Sequence, residues 1–325
     1  MGAASSGREP RIAVVGATGV VGRQILELLE QRAFGCSELR LFAAEEEGFA
    51  ESEEKGELAV ARLNEPAELS GFDIAFLAVP GSCAAEIIRA NPGPFLIDLS
   101  AAGREATGAP LVAPGLTPRE TLEKPSGKVF AIPHPAAHAV ATILKALEAG
   151  DRQIAATVLL SASAEGSEEV SRLVKQSADM MNARLSLEED ETQLGFNVFA
   201  PERESEIASA ITSQTARLLG RAPNLSVQAI QVPVPHGTAL MLHISAPIDA
   251  AEVREKLRST PGLLVAQEQD ELRGTADALG QEAIAAAILD RPPGIALRCL
   301  FDNARFAALA AIWAAETLAA AGGGN

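Results

Sequence analysis

The stretch Arg11-Ile-Ala-Val-Val-Gly-Ala-Thr-Gly-Val-Val-Gly22 decides the fold of this chain. Its first part, Ile12 to Val15, is a short apolar run rich in β-branched residues, which predicts a buried strand. Glycines follow at three-residue spacing, and residues 23–32 then continue with helical periodicity. A buried strand, a tight glycine turn and a helix open a dinucleotide-binding fold, in which the N–H groups at the helix start bind a pyrophosphate.

The three glycines have different expected roles. Gly16 permits the tight turn, Gly19 lets the backbone approach the phosphates, and Gly22 lets the helix pack on the strand. The spacing is G-x-x-G-x-x-G rather than the commoner G-x-G-x-x-G, and the alternative is a tight turn of an α/β domain that binds no ligand. The residues expected to contact a dinucleotide are Gly16, Thr18, Gly19, Val20, Val21, Gly22 and, after a later strand, Gly81.

The composition is that of an ordinary folded protein. The chain has 325 residues, of which 47% are hydrophobic and 22% are charged, and this length allows two domains. The formal net charge of −16 argues against nucleic acid or an anionic membrane surface as the main partner. The three cysteines suggest no disulfide framework, and because they match no metal-ligand spacing, we expect no metal: Cys36, Cys83 and Cys299.

The sequence shows no segment that would direct the chain to a membrane. The first ten residues are small and polar, without the apolar run of a secretory signal. The longest alanine-rich stretch, near residues 306–322, is interrupted by Arg305 and Glu316, so no run approaches the length of a membrane span. We therefore expect a cytoplasmic protein.

Strands and helices alternate through the first part of the chain. Apolar runs predict a helix over 84–90 and strands over 39–43, 58–63, 73–79, 94–99 and 129–132. This alternation indicates a parallel sheet, whose ligands bind beyond the carboxyl ends of the strands. Gly81-Ser82 and Arg104 both lie at such ends.

The end of the second predicted strand bears on the choice of nucleotide. It reads Ala44-Glu45-Glu46-Glu47, and in dinucleotide-binding folds this position meets the adenosine ribose. Carboxylates there favour the free 2′-hydroxyl of NAD and would repel the 2′-phosphate of NADP. The alternative is a solvated acidic loop without contact to a nucleotide.

The pattern changes after residue 132, and we expect a domain of residues 1–132, completed by the helix 303–325, and a second domain of residues 133–302. Residues 227–234 and 239–246 are interpreted as two strands of a hairpin joined by Pro235-His236-Gly237-Thr238. The second domain is then an α+β layer with antiparallel strands. Its other predicted elements are strands over 154–161 and 294–301 and helices over 140–147, 167–182, 204–219 and 250–258.

Seven short motifs, each occurring once, follow one another along nearly the whole chain in a specific order. They are Gly16–Gly22, Leu39-Arg-Leu-Phe-Ala-Ala44, Ala75-Phe-Leu-Ala-Val-Pro-Gly-Ser82, Ile97-Asp-Leu-Ser-Ala-Ala-Gly-Arg104, Pro110-Leu-Val-Ala-Pro114, Val232-Pro-Val234 and Asp302-Asn-Ala-Arg305. Together they resemble the aspartate-semialdehyde dehydrogenase family. N-acetyl-glutamyl-phosphate reductases share the architecture, but the last motif favours the aspartate branch.

The resemblance implies an α/β fold class, with a Rossmann-type NAD(P)-binding domain and an α+β dimerisation domain. It also implies NAD or NADP as the cofactor, a homodimer, and a place in amino-acid biosynthesis. In that family a cysteine thiolate attacks the aldehyde, hydride passes to the nicotinamide, phosphate releases the acyl enzyme, and a histidine is the acid/base.

The family's nucleophile has no counterpart in this sequence. Its Asn-Pro-Asn-Cys-Ser-Thr segment corresponds to Ile132-Pro-His-Pro-Ala-Ala-His138. The cysteine position is Pro135 in one register and Ala137 in the other. Loss of a nucleophile costs many orders of magnitude in rate, so the family reaction is not expected at a useful level.

Other positions that carry the family's chemistry differ as well. Thr238 stands at the position of the histidine, and His236, two residues earlier, is the candidate for chemistry, although a loop histidine is more often exposed or structural. Arg104 matches the phosphate-binding arginine and could bind a small anionic substrate or form a sheet-edge salt bridge. Leu160 stands at the position of the glutamine that orients the family's acyl group, and Ala208 and Ala210 stand near the Glu and Lys of its substrate helix. Arg217 stands where the second helix presents a basic residue, and Ala311 stands at the position of a cofactor-binding asparagine.

These residues favour a catalytically impaired or inactive relative that binds NAD(P), a pseudoenzyme candidate. One alternative is an authentic NAD(P)-dependent semialdehyde dehydrogenase with a displaced active site. A second is a non-catalytic regulatory or structural dimer. A third is an enzyme of another class that uses His134, His236 or Arg104 on an anionic substrate.

Overall fold

The computed structural model of the chain describes residues 8–43, 48–52, 56–105, 108–184, 187, 191–245, 249–268, 271–291 and 294–322. The chain divides into two compact units, one of Met1–Pro133 with Ala307–Asn325 and the other of His134–Phe306. Within the described residues, each unit is built on one β-sheet, of seven strands in the first and six in the second.

The first unit contains a parallel sheet with one antiparallel edge strand. Its strands are β1 (Arg11–Val15), β2 (Glu38–Ala43), β3 (Gly48–Ser52), β4 (Gly56–Arg62), β5 (Ile74–Leu77), β6 (Phe95–Asp98) and β7 (Val129–Ala131). Its helices are α1 (Val20–Gln31), α2 (Gly81–Ala90), α3 (Ala101–Glu105) and α4 (Glu120–Glu123). The strand order is β3-β4-β2-β1-β5-β6-β7, and β3 pairs antiparallel with β4 while the other pairs are parallel.

The central strand β1 is buried on both faces, which explains its continuous apolar sequence. Ile12 and Val14 pack into one apolar cluster, and Ala13 and Val15 pack into another. Because β1 lies between β2 and β5, the direction of chain progression reverses there, and ligands of such sheets bind at the carboxyl ends of the strands beside that point. The predicted α/β fold class is confirmed.

The second unit contains a mixed sheet covered by helices. Its strands are β8 (Gln153–Leu160), β9 (Leu225–Gln231), β10 (Thr238–Ser245), β11 (Leu263–Val265), β12 (Ile284–Arg291) and β13 (Gly294–Phe301), in the order β11-β12-β13-β10-β8-β9. Its helices are α5 (Pro135–Ala146), α6 (Ser167–Met181), α7 (Glu204–Leu219) and α8 (Ala250–Arg258). The last helix, α9 (Asn303–Gly322), begins in this unit and continues into the residues of the first.

The predicted hairpin of the second unit is wrong. Strand β8 lies between β9 and β10, parallel to the first and antiparallel to the second, so these two strands are not neighbours. The sheet is also not antiparallel throughout, because β11 and β12 pair in parallel as well. The turn residues between β9 and β10 are compatible with either topology, and the inserted strand lies much earlier in the chain.

Two other predictions from the pattern need correction. Helix α5 begins at Pro135 rather than at residue 140, because proline is favourable in the first turn, where its missing N–H needs no partner. Strand β12 is absent from the sequence prediction because its alanine-rich sequence has low strand propensity.

Helix α9 is long and apolar enough, by length and composition alone, to cross a membrane, which the sequence prediction did not expect. It is the one such helix among the described residues. Within the protein, 72% of its most apolar window is buried, and Ala308, Ala311 and Ala315 belong to an apolar core cluster. A core helix of this kind passes the same length and composition test.

Candidate functional site

The glycine loop after β1 is folded as a tight strand-to-helix turn. The amide of Gly16 donates to the carbonyl oxygen of Phe42 at 2.7 Å, and the amide of Gly19 donates to the carbonyl oxygen of Gly16 at 3.1 Å. Gly16 has a φ of +86°, and a Cβ there would overlap the carbonyl oxygen of Ala78. A Cβ at Gly22 would overlap the carbonyl oxygen of Gly16. The fold itself therefore requires glycine at positions 16 and 22.

Gly19 differs from the other two glycines of the loop. It caps α1 with an extended backbone, at φ −72° and ψ 168°, which any residue can adopt. A Cβ at this position would lie 3.3 Å from the carbonyl oxygen of Gly16, a tight contact that is much less severe than those at Gly16 and Gly22. The N–H groups of the first helical turn, which begins at Val20, have no acceptor within the helix. Binding of an anion at this helix start stays a prediction.

The structure brings the glycine loop next to the end of β5. Residues 16, 18, 19, 20, 21 and 22 lie together at the end of β1, and the backbone of Gly16 approaches that of Ala78. A Cβ at Gly81 would lie 3.7 Å from the amide nitrogen of Ala102, so the first residues of α2 and α3 are also close. The predicted dinucleotide-contacting residues thus share one edge of the sheet. Glu45–Glu47, on which the preference for NAD depends, lie outside the described residues.

Arg104, at the end of α3, is bound to main-chain oxygens. Its Nε donates to the carbonyl oxygen of Ile132 and one of its Nη atoms donates to that of Leu99, both at 2.7 Å. Burial lowers its pKa to about 10, while the carboxylates of Asp98 and Glu105 act in the opposite direction. The guanidinium is therefore charged at neutral pH, and it connects the ends of β6 and β7. An anion site at Arg104 stays a prediction.

Asp98 shapes the turn that presents Arg104, a role that the sequence did not predict. Its fully buried carboxylate accepts from the Ser100 amide at 3.1 Å, the Ser100 hydroxyl at 3.0 Å and the Gly103 amide at 2.6 Å. Burial raises the pKa of this carboxyl, and the hydrogen bonds from Ser100 and Gly103 oppose the rise. A carboxyl two residues before a serine and a short helix is the signal that could have identified it.

In the second unit, the start of α5 holds the segment that corresponds to the family's nucleophile. His134 caps the helix, because its Nδ1 accepts from the Ala136 amide at 3.1 Å, and its own amide donates to Gln214 Oε1 at 2.7 Å. Pro135 is the first helical residue and is half-buried, whereas Ala137 is fully buried. His138 is also buried.

A stacked pair of rings connects α5 with the start of α9. The imidazole of His138 lies 4.5 Å from the ring of Phe306, with 22° between the ring planes. His134 and His138 thus both have defined packing or capping roles.

A buried polar cluster lies at the carboxyl end of β8. The Oδ1 of Asn303 accepts from the Ser161 hydroxyl at 3.4 Å, the Ser163 hydroxyl at 3.2 Å and the Gly237 amide at 3.1 Å. The two serine hydroxyls lie 3.0 Å apart. The sequence prediction did not identify this cluster, although Asn303 belongs to one of its motifs. Three neutral donors on one amide oxygen form a satisfied structural network rather than a nucleophile with a base.

The segment that carries His236 packs against this cluster. The amides of Ala162 and Ser163 donate to the carbonyl oxygens of Val234 and Pro235, at 2.9 and 3.0 Å. His236 is half-buried, and Thr238 is buried at the first position of β10. His236 therefore lies in the part of the second unit where the resemblance predicts the acid/base group, but its chemical role stays a prediction.

None of the three cysteines lies at the start of α5. Cys299 is fully buried in β13, and burial raises the pKa of its thiol to about 12. Cys36 packs against one core cluster of the first unit and Cys83 against another. Other positions that correspond to family site residues are apolar or exposed: Leu160 and Ala311 are buried, Ala208 and Ala210 are half-buried, and Arg217 is exposed.

Comparison with known proteins identifies the family of this fold. Residues 11–124 match the profile described as semialdehyde dehydrogenase, NAD binding domain. A USG-1 protein homolog of Pseudomonas aeruginosa is 34% identical over 83% of this chain and 84% of its own length. A probable aspartate-semialdehyde dehydrogenase from Pseudomonas aeruginosa, whose structure is solved, is 30% identical with a TM-score of 0.82, over 96% of this chain and 98% of that one. The chain belongs to the aspartate-semialdehyde dehydrogenase family.

The structural likeness to this dehydrogenase family extends over both units. Aspartate semialdehyde dehydrogenase II of Vibrio cholerae, in a structure complexed with ASA, is 26% identical with a TM-score of 0.85, over 96% of this chain and 98% of that one. The sequence-based recognition of the family is confirmed. The first unit contains the NAD-binding domain of semialdehyde dehydrogenases.

Proposed function

We propose that this member of the semialdehyde dehydrogenase family binds NAD or NADP at the Gly16–Gly22 loop and does not form a thioacyl enzyme. Gly19 is the observation that carries the proposal. Its backbone is extended and does not demand glycine, unlike that of Gly16. A glycine with an ordinary extended backbone at the start of a helix leaves room for the close approach of a phosphate.

The loss of thioacyl chemistry is supported by the side chains at the start of α5. A thiolate at a helix amino terminus is stabilised by the N–H groups there, but this chain has Pro135 or Ala137 at the cysteine position. The imidazole of His134 accepts a hydrogen bond from one of these N–H groups. The high pKa of Cys299 leaves that thiol protonated at neutral pH, so it is a poor substitute.

We propose NAD rather than NADP as the better ligand. The support is the charge of Glu45–Glu47, which follow β2. In folds of this type the end of the second strand meets the ribose, where carboxylates accept hydrogen bonds from the 2′-hydroxyl of NAD and repel the 2′-phosphate of NADP. A cytoplasmic location, and a small anionic ligand at Arg104, belong to the same proposal.

We further propose that the protein is a homodimer in which α6 contacts a second copy of the chain. Large apolar side chains are exposed on this helix, where Val174 and Met181 are exposed by 55% and 80%, and in the later segment that packs on it, where Phe196 is exposed by 64%. Gln176 holds the two segments together, because its Oε1 accepts from the amides of Leu194 and Gly195. Exposed large apolar side chains are typical of protein contact surfaces.

Calorimetric titration with NAD and with NADP tests the nucleotide part. We expect heat with both, with NAD bound more tightly by at least about tenfold, the order of one lost charge repulsion. Absence of heat with either nucleotide would contradict the proposal. Equal affinities would contradict the assignment of the glutamates to the ribose.

A rapid-mixing experiment tests whether the protein forms a thioacyl enzyme. The protein, at high concentration, is mixed with aspartate semialdehyde, phosphate and the oxidised nucleotide, and nucleotide reduction is followed by absorbance. We expect no burst, because formation of a thioacyl intermediate requires the missing thiolate. A burst equal to the enzyme concentration would establish an authentic dehydrogenase with a displaced active site instead.

A further inference from the structure

The carboxyl ends of β5 and β6 lie on the opposite side of β1 from β2. In dinucleotide-binding folds the pyrophosphate binds at the helix start after the first strand, and the adenosine ribose lies at the end of the second strand. A dinucleotide bound in this way extends its nicotinamide half across the ends of β5 and β6. The residues that follow these two strands, at the starts of α2 and α3, are therefore the surface that this half would contact.

The starts of α2 and α3 lie against each other beside the glycine loop. The backbone of Gly16 approaches the carbonyl oxygen of Ala78, three residues before Gly81. A Cβ at Gly81 would lie 3.7 Å from the amide nitrogen of Ala102 and 3.9 Å from the Cβ of Ala101. Ala101 is exposed, and Gly81 and Ala102 are half-buried. These three residues form what we call the α2–α3 surface.

Three amides at the start of α3 donate to acceptors within the chain. The Ser100 amide donates to Asp98 Oδ1 at 3.1 Å, and the Gly103 amide donates to Asp98 Oδ2 at 2.6 Å. The Ala102 amide donates to the hydroxyl oxygen of Ser100 at 3.0 Å. Because these donors are already used, the α2–α3 surface offers mainly apolar atoms. Such a surface suits the face of a nicotinamide ring better than a phosphate, which needs donors.

The carboxylate of Asp98 holds the start of α3 in place. It is fully buried and also accepts from the Ser100 hydroxyl at 3.0 Å. A Cβ at Gly103 would overlap Oδ2, so the turn is folded closely around the carboxylate. Hydrogen bonds to a charged acceptor are stronger than those between neutral groups, and their loss would let Ala102 shift relative to Gly81. Asp98 itself has no exposed surface, so it can act on a ligand only through this turn.

We propose that Asp98 is a positioning residue for the nicotinamide half of the bound dinucleotide. Its carboxylate, through Ser100 and Gly103, sets the distance between the starts of α2 and α3, and the α2–α3 surface formed in this way receives the nicotinamide nucleotide. The inference rests on the proposed nucleotide binding and adds to it the residue that shapes one half of the site.

The first experiment is a calorimetric titration of full-length Asp98→Asn and the parent protein with two ligands, NAD and ADP. Asparagine has nearly the same shape, but an NH₂ group in place of Oδ2 cannot accept from the Gly103 amide. ADP retains the adenosine and the pyrophosphate and lacks the nicotinamide riboside. We expect the variant to bind NAD at least about tenfold more weakly and ADP within about twofold of the parent affinity.

The two ligands separate positioning from a general defect. An equal loss of affinity for NAD and ADP would overturn the proposal, because it would indicate damage to the whole first unit. Unchanged affinity for NAD would overturn it as well. A parent protein that binds ADP and not NAD would exclude the nicotinamide half of the site alone. A parent protein that binds neither would contradict the nucleotide proposal itself.

A second variant guards against a folding defect in the first. Ser100→Ala keeps the carboxylate and removes the hydroxyl that connects it with the Ala102 amide, and we expect severalfold weaker binding of NAD with unchanged binding of ADP. Full NAD affinity in Ser100→Ala would overturn the positioning role.

Asp249→Asn is the matched control. It makes the same substitution at a carboxylate of the second unit that also accepts from a backbone amide, that of Ala251, at 3.0 Å. We expect it to leave the affinities for NAD and ADP unchanged. Circular dichroism and urea unfolding show that each variant is folded before it is titrated.

Discussion

At the scale of single residues, the three glycines of the loop after β1 differ in how strictly the fold requires glycine at each position. Gly16 and Gly22 have no room for a Cβ, whereas Gly19 has nearly enough and has an ordinary extended backbone. The structure supports the steric need for glycine that the spacing assigned to Gly16 and Gly22, whereas the approach of phosphates to Gly19 stays a prediction. The structure shows how different the steric demands are at each position.

Gly19→Ala should separate nucleotide binding from folding. We expect at least about tenfold weaker binding of NAD, because the methyl group blocks the approach of the phosphates, and a loss of about 1 kcal/mol in stability, because alanine is a poor helix cap. Gly22→Ala is the comparison variant and should lower the free energy of unfolding by about 1–3 kcal/mol, since its Cβ overlaps the Gly16 carbonyl. Calorimetry and urea denaturation measure the two effects. Full NAD affinity in Gly19→Ala would remove the main support for the nucleotide site.

The buried thiol of Cys299 provides a second test at this scale. Its pKa is raised from 9.0 to about 12, which lowers the thiolate fraction at neutral pH by about a thousandfold. We expect a thiol reagent to leave Cys299 unlabelled in the native protein and to label it after unfolding in urea. Mass spectrometry of the peptides identifies the labelled cysteines. Native labelling of Cys299 as fast as that of Cys36 would show that the thiol is accessible and reactive.

At the scale of elements, the residues at the start of helix α5 determine where the helix begins and how its amino terminus is capped. Proline at its first position and a histidine before it start the helix several residues earlier than the apolar periodicity predicted. The Nδ1 of His134 accepts from the Ala136 amide. The helix amino terminus, which would stabilise a thiolate in the family reaction, thus serves as an ordinary capped end.

His134→Ala should lower the free energy of unfolding by about 1 kcal/mol, because the Ala136 amide loses its acceptor. His134→Asn keeps a favourable capping oxygen and should recover most of that stability. Urea denaturation at pH 8 measures both variants. Equal stability of His134→Ala and the parent protein would show that the cap contributes nothing.

The position of β8 in its sheet could not be predicted from the local sequence of the strands and turns. Strands β9 and β10 have the sequence of a hairpin, yet β8 separates them. Turn residues describe only the local chain path, and they carry no information about a third strand that competes for the same backbone hydrogen bonds. Tertiary pairing therefore overrides the local interpretation.

At the scale of the whole molecule, the exposed apolar side chains around α6 predict self-association. Phe196→Lys should shift the protein from dimer to monomer in light-scattering chromatography and weaken dimerisation by at least about tenfold. Leu264→Lys is the matched control, since Leu264 is also exposed, on β11, away from α6. A dimer that is unaffected by Phe196→Lys would place the interface on another surface, and a monomeric parent protein would contradict the homodimer.

The sequence by itself determined the strand–turn–helix at Gly16–Gly22, the parallel sheet that follows it, and the family. These features depend on spacing and periodicity within short windows, where each residue limits its neighbours through backbone sterics and burial. Only the tertiary structure decided the insertion of β8, the polar cluster on Asn303, and the close approach of Gly81 to the start of α3. Those features arise from contacts between residues far apart in the chain, and such contacts are set by packing and hydrogen-bond satisfaction across the whole unit rather than by any local pattern.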